Sequence, residues 1–213
     1  MDIEYVAPAE IEKRSMEIIE GELTARGIRL PAENADIIRR CIHTTADFDY
    51  AETLCFSEGA AAECRRLIRK GALLVTDANM ALAGINKREL EKYGSRAVCF
   101  MADEEVAREA AARGVTRASV SMERAMKREE PVICVIGNAP TALITLRELA
   151  DRNNCRPSFV IGVPVGFVNV EAAKELILSS DIPHIVNRGR KGGSTVAAAI
   201  CNALLYGMRE EGA

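Results

Sequence analysis

Five short apolar runs, each followed by a polar turn and a helical stretch, predict an α/β chain with three layers, α/β/α, around a five-stranded, mainly parallel sheet. Two further observations support that class. The runs are continuously apolar rather than alternating, as strands buried on both faces require. No Ser/Gly/Pro-rich linker and no long repeat divides the chain, so residues 1–213 are expected to form a single domain.

Pro8 opens the first predicted helix, which reaches about Arg26 with Ile11, Ile18, Ile19 and Leu23 on one side and Gly27 as its stop. A second helix follows Pro31. Its apolar positions Ile37, Ile38, Cys41 and Ile42 place His43 near the last turn, before the polar sequence TTADFDY. Ser57, with acids after it, predicts the N-cap of a third helix that closes at Gly71. The five strands follow: ALLVT (72–76), RAVCFM (96–101), PVICVIG (131–137), PSFVIGV (157–163) and PHIVN (183–187). Ligands of such sheets sit beyond the carboxyl ends of the strands, which draws attention to the turns TDANM, MADEE, GNAPTA, GVPVGF and NRGRKGGS.

Composition narrows the partners. The formal charge is −3 and aromatics are 4% of 213 residues, with no Trp, which argues against a nucleic-acid surface. The start, MDIEYVAPAEIEK, carries acids where a signal peptide needs cations, so export is not expected. Charge-free stretches at 131–146 and 192–208 fall short of the ~18 apolar residues of a membrane span. Seven scattered cysteines without a C-x-x-C pair fit reduced thiols of a cytoplasmic protein.

In GNAPTA a buried strand passes through Gly137 and Asn138 into a helix that Pro140 can begin, with Thr141 in its first turn. Its amides are expected to face the ligand side. Only one glycine of a dinucleotide fingerprint is present, and the alternative is an ordinary tight turn. RGRKGGSTVAAAICNAL (188–204) sets Arg188, Arg190 and Lys191 with Gly192 before a small-residue helix starting at Ser194, an arrangement suited either to a carboxylate or phosphate or to a solvated basic loop leading into a close-packed helix. It fails the Walker A pattern because Lys191 precedes the glycines. GVPVGF offers a flat backbone at Gly166 and a packing surface at Phe167. Thr116 and Arg117 stand at a predicted helix start, where Arg117 can hold a carboxylate by two hydrogen bonds.

Of the two histidines, His184 lies inside an apolar strand and reads as structural. His43 differs. A last-turn position stabilises an imidazolium, and Asp47 and Asp49 add to that effect if they approach the ring; the alternative on residues alone is a satisfied helix-end histidine. A metal trio of His43 with the two aspartates lacks a second His at ligand spacing, so no metal site is expected.

Taken together, RSMEII (14–19), RCIHTTADFDY (40–50), TDANMALAGI (76–85), TRASVSM (116–122), IGNAPTAL (136–143), IGVPVGFVNVEAAKE (161–175) and the basic GGS segment resemble the precorrin-8X methylmutase family of cobalamin biosynthesis, including its cobalt-precorrin-8 branch. The resemblance covers nearly the whole chain in order. It implies an isomerase that moves a methyl group on ring C of a contracted tetrapyrrole to the neighbouring carbon, giving hydrogenobyrinate or cobyrinate. It further implies that His43 is catalytic and that Ser15, Arg40, Thr116 and Arg117 line the macrocycle site. A homodimer is implied, with no cofactor beyond any cobalt carried by the substrate.

A corrinoid precursor is a broad apolar ring fringed with carboxylates. GNAPTA and GVPVGF suit its faces, and Arg14, Arg40, Arg117, Arg188, Arg190 and Lys191 suit its rim. Two alternatives remain on residues alone: a non-catalytic tetrapyrrole carrier with His43 on cobalt, and an anion-binding enzyme acting on a phosphate ester.

Overall fold

The computed structural model describes residues 3–153 and 155–210. After a 3₁₀ turn at Pro8–Glu10, helix α1 (Ile11–Ala25) ends just before Gly27, and α2 (Ala35–Thr45) follows as predicted. The apolar side of α1 is only half covered: Ile19 and Leu23 are buried, while Ile11 and Ile18 are exposed. On α2 the inward stripe Ile37, Ile38, Cys41 and Ile42 is fully packed, which turns His43 outward in the last turn. Ala46 closes α2 in the left-handed conformation at φ 54°, which costs a residue with a Cβ about 1–2 kcal/mol. Tertiary contacts must therefore hold this end of the helix.

A short α3 (Tyr50–Thr53) runs straight into β1 (Leu54–Phe56), a strand that the sequence pattern does not reveal. The sheet consequently has six strands instead of five. Three residues are too few to carry a period, and β1 exists because it adds antiparallel to an edge, pairing Leu54 with Asn187 and Phe56 with Ile185. Helix α4 (Ala60–Arg69) comes next, capped by Gly59 and not by Ser57. The Ser57 hydroxyl is drawn to the same edge, where it accepts the His184 N–H at 2.9 Å.

The other five strands lie where expected: β2 (Leu73–Thr76), β3 (Arg96–Cys99), β4 (Val132–Ile136), β5 (Phe159–Gly162) and β6 (His184–Asn187). Their order is β1-β6-β5-β4-β2-β3, all parallel apart from β1. Side chains along the central strands alternate between two cores, as period-two geometry demands. Leu74, Ile133, Val135, Phe159, Ile161 and Ile185 pack on α1, α2, α4, α5 (Asn79–Gly84), α6 (Lys87–Glu91) and α11 (Ser194–Glu210). Leu73, Val75, Cys134, Ile136, Val160 and Val186 pack on α8 (Arg117–Ala125), α9 (Pro140–Asn153) and α10 (Val170–Leu178). The helix α7 (Glu104–Arg113) leans on α8 through Val106, Ala110 and Val120. Three layers result.

His184 has the structural role its setting suggests: it is buried, and its Nδ1 lies 2.7 Å from the Ile182 carbonyl. Burial holds its ring below the usual imidazole range. The cysteines on the described chain are free, and burial pushes the Cys41 and Cys201 thiols up to about 12, so they act as inert packing groups.

Candidate active site

The connections leaving β2 and β4 depart on opposite sides of the sheet, so the crevice between these neighbours is where doubly wound folds commonly seat a ligand. Here it is filled from within. Asp77, at the end of β2 and 1% exposed, accepts the N–H groups of Gly137 at 2.8 Å, Asn138 at 2.8 Å and Ala139 at 2.5 Å. Burial raises the Asp77 carboxyl above the ordinary range, against the pull of those three donors. The expectation that the GNAPTA amides face a ligand is thereby corrected: the protein's own carboxylate occupies them. Gly137 is required for packing, since a Cβ there would lie 2.8 Å from the Ser194 Cα. Asn138 is exposed.

The last two turns interlock. Gly193 donates to the Val163 carbonyl at 2.8 Å, and Gly166 donates to that of Arg190 at 3.2 Å. Gly192 has φ 152°, and a Cβ on it would meet the Val163 oxygen at 2.1 Å, so only glycine permits this approach. Phe167 projects into solvent, 83% exposed, with the Arg190 guanidinium 5.6 Å from its ring centre. The cations of the basic turn each hold a carboxylate: Arg188 with Glu175 at 2.9 Å, Arg190 with Glu171 at 3.1 Å, and Lys191 with both Asp47 and Asp49 at 2.6 Å. This corrects a second expectation. Asp47 and Asp49 turn to Lys191, which holds the Asp47 carboxyl below its usual value and fastens the end of α2 to the loop.

His43 is exposed and lines an open crevice of about 300 Å³ between α2, α5 and α11. Arg40 and Thr44 share its helix face, Met80 and Gly84 come from α5, and Thr195, Ala198, Ala199, Asn202 and Tyr206 come from α11. Arg40 donates to Glu12 at 2.6 Å and lies 5.4 Å from the Tyr206 ring centre. Asn202 ties α5 in place, donating to the Gly84 carbonyl at 2.9 Å and accepting from the Asn86 N–H at 2.8 Å. The wall is thus polar and fixed, its floor is small-residue helix, and its mouth carries an imidazole and a guanidinium.

The residues singled out in the sequence fall into groups. His43 and Arg40 meet in the crevice. Ser194 is one residue from its wall, and Gly166, Phe167, Arg188 and Gly192 form the adjoining loops. Ser15 sits one turn beyond Glu12 on α1 and donates to the Ile11 carbonyl at 2.9 Å. Arg14 is held by Glu4 at 2.8 Å. Thr116 and Thr141 lie apart from the crevice: their hydroxyls are 2.9 Å from each other, where α8 and α9 begin, beside a depression of about 340 Å³. Thr116 caps α8 by accepting the Ser119 N–H at 3.1 Å. Arg117 is exposed and has no hydrogen bond or ion pair among the described residues.

Sequence reasoning missed Asp77, Met80, Gly84, Thr195, Asn202 and Tyr206. The signal for three of these was present, because 195, 198, 199, 202 and 206 recur at helical spacing and mark one face of α11. Among the described residues, no three His, Cys, Asp or Glu side chains gather as a metal site.

The fold is that of a doubly wound α/β protein whose switch point is plugged from within, with a histidine-lined crevice and a cation-bearing turn to one side. The particular family is given by comparison. A profile described as Precorrin-8X methylmutase matches residues 10–207, and the chain belongs to that family, whose members are isomerases of cobalamin biosynthesis. It is 46% identical over 175 residues to the cobalt-precorrin-8 methylmutase of Salmonella typhimurium, covering 82% of this chain and 81% of that one. It is 36% identical over 205 residues to the precorrin-8X methylmutase of Pseudomonas aeruginosa, covering 95% and 97%. The crystal structure of precorrin-8x methyl mutase from Thermus thermophilus superposes with a TM-score of 0.85 at 36% identity, over 96% of this chain and 100% of that one.

Proposed function

We propose that the chain converts precorrin-8X or cobalt-precorrin-8 to hydrogenobyrinate or cobyrinate, with His43 as the general acid. The observation that carries this is the placement of His43: solvent-reachable, in a crevice with Arg40, next to a turn whose three cations point outward. A proton or strong hydrogen bond from the imidazolium polarises the conjugated macrocycle. The C–CH₃ bond on ring C then breaks as the bond to the adjacent carbon forms. The methyl migrates within one molecule, so atoms balance without a co-substrate. No cofactor of the protein's own is invoked, and any cobalt arrives inside the substrate.

Arg117, at the start of α8 and apart from the crevice, can take a carboxylate of a ring that reaches beyond it without first giving up a partner among the described residues. Arg40, Arg188, Arg190 and Lys191 exchange a protein carboxylate for a substrate one, and such exposed pairs hold only ~0–1 kcal/mol. The phosphate-ester alternative is disfavoured because the amides of Gly137, Asn138, Ala139 and Gly193 already have protein acceptors.

A crevice of about 300 Å³ holds an edge of a tetrapyrrole and not the whole ring. We infer that a second copy completes the site, as a homodimer. The exposed apolar residues Ile11, Ile18, Phe167 and Val168 support this, since such surfaces mark interfaces. No helix among the described residues is long and apolar enough to cross a membrane. Free thiols support a reducing, cytoplasmic setting.

The test is incubation of the purified protein with cobalt-precorrin-8 and with its metal-free counterpart, followed by visible spectroscopy. Conversion of one ring identifies the branch. Tight binding of both without conversion supports the carrier, and stabilisation only by sugar phosphates supports the phosphate-ester enzyme.

A further inference from the structure

Lys174 is a lysine with no accessible surface, and the reaction described above gives it no part. It lies on α10 with Glu171 and Glu175 on the same helix face. Its Nζ donates to the carbonyls of Gly189 at 2.7 Å and Lys191 at 2.8 Å. The Asn187 side-chain amide donates to the carbonyls of Arg188 at 3.2 Å and Lys191 at 2.9 Å. The Gly166 N–H takes the remaining one, that of Arg190. Four consecutive carbonyl oxygens of the basic turn are therefore drawn inward to protein donors. The side chains of Arg188, Arg190 and Lys191 are left exposed.

We propose that Lys174 is a positioning residue that holds the 188–191 turn in its cation-out form before substrate arrives. This rests on the methylmutase reading and deepens it. The same face of α10 grips the turn in two ways of different permanence. Glu171 and Glu175 hold the guanidinium groups by exposed ion pairs, which a carboxylated ring can displace. Lys174 holds the backbone from inside, where bonds from a charged donor to a carbonyl are strong and water does not compete. Ion pairs can thus be exchanged while the backbone stays fixed. Lys191 carries the constraint onward through Asp47 and Asp49 to the segment just past Ala46, the left-handed C-cap of the helix that bears His43.

The test is Lys174→Met in the full-length protein, with an isosteric stem that lacks the donors. Substrate KM should rise about tenfold while kcat stays within about twofold, because the rim cations bind the ring and do not act on the methyl group. Ile177→Val, on the same helix and in the same core, supplies a control of small general destabilisation. An equal KM rise in that control, or an unchanged KM in Lys174→Met, overturns the proposal. Should the Met variant not fold, Lys174→Gln is read in the same way. Acetylation of the wild-type protein by a soluble active ester gives a second measurement: Lys174 should label at least tenfold more slowly than exposed Lys13. Equal labelling overturns the buried clamp. A wild-type protein that converts neither ring refutes the methylmutase reading instead, and the labelling ratio then decides on Lys174 alone.

Discussion

The turns after β4 and β6 start alike, each leading from a buried strand through glycine into a helix, yet they use their backbone polarity in opposite senses. After β4, three N–H groups converge on Asp77, so the turn is an anion receptor already loaded with an internal anion. After β6, the carbonyls converge on Lys174 and Asn187, so the backbone is satisfied internally while its cations remain at the surface. The first turn has its amides taken by the protein, and the second keeps its cations at the surface. Glycine-rich strand ends are thus ambiguous on sequence alone: what decides their role is which distant side chain satisfies the backbone.

The largest effect on this contrast is expected from Asp77→Ala, which leaves three backbone amides, that of Gly137 fully buried, without their acceptor. At ~1–3 kcal/mol for each unsatisfied group, partly relieved by water, the loss should be about 4 kcal/mol, or a fall in Tm of about 10 °C by calorimetry. A Tm within 2 °C or so of wild type would show that the β4 turn is not held by its internal anion. Gly192→Ala should cost somewhat less, about 3 kcal/mol in chemical denaturation, because Val163 and its loop must move away from the new Cβ. A neutral result would break the claim that the two last turns are locked together.

Arg117→Ala separates binding from folding. Without a partner to lose among the described residues, it should leave Tm unchanged while product affinity, measured by titration calorimetry, falls about fivefold to tenfold. The smallest effect is a pH-dependent one. Lys191 depresses the Asp47 carboxyl below its usual 3.8, so the pair stabilises the fold above that pH and the contribution disappears as pH falls through the lowered value. The Tm gap between wild type and Lys191→Met should be full at neutral pH and shrink below about pH 4. A gap that does not change with pH would place the effect of Lys191 elsewhere.

Much of the scaffold was legible because it rests on local chemistry. The runs at 72–76, 96–101, 131–137, 157–163 and 183–187 became β2 to β6, since continuous apolar character has one use in a sheet sandwiched by helices. Thr116 as a cap and His43 in a last turn follow equally from short-range signals. The edge strand β1 and the Ser57 hydroxyl were not legible, because both answer to β6, more than a hundred residues away. The partners of Asp47, Asp49 and Asp77 were misread or missed for the same reason: a charge reveals its sign in sequence, while the cation or amide that answers it is chosen by the fold. The α11 face from Thr195 to Tyr206 lay in plain periodicity but reads as core packing until the fold sets it as one wall of the crevice it shares with α2 and α5.

His43 as the proposed acid of the methyl shift is tested most directly by comparing wild type with His43→Ala under single-turnover conditions, with product affinity measured alongside. Loss of the acid should slow the rearrangement by about 10²–10⁴-fold while product affinity changes by no more than a few-fold. Rearrangement at the wild-type rate in His43→Ala would contradict it.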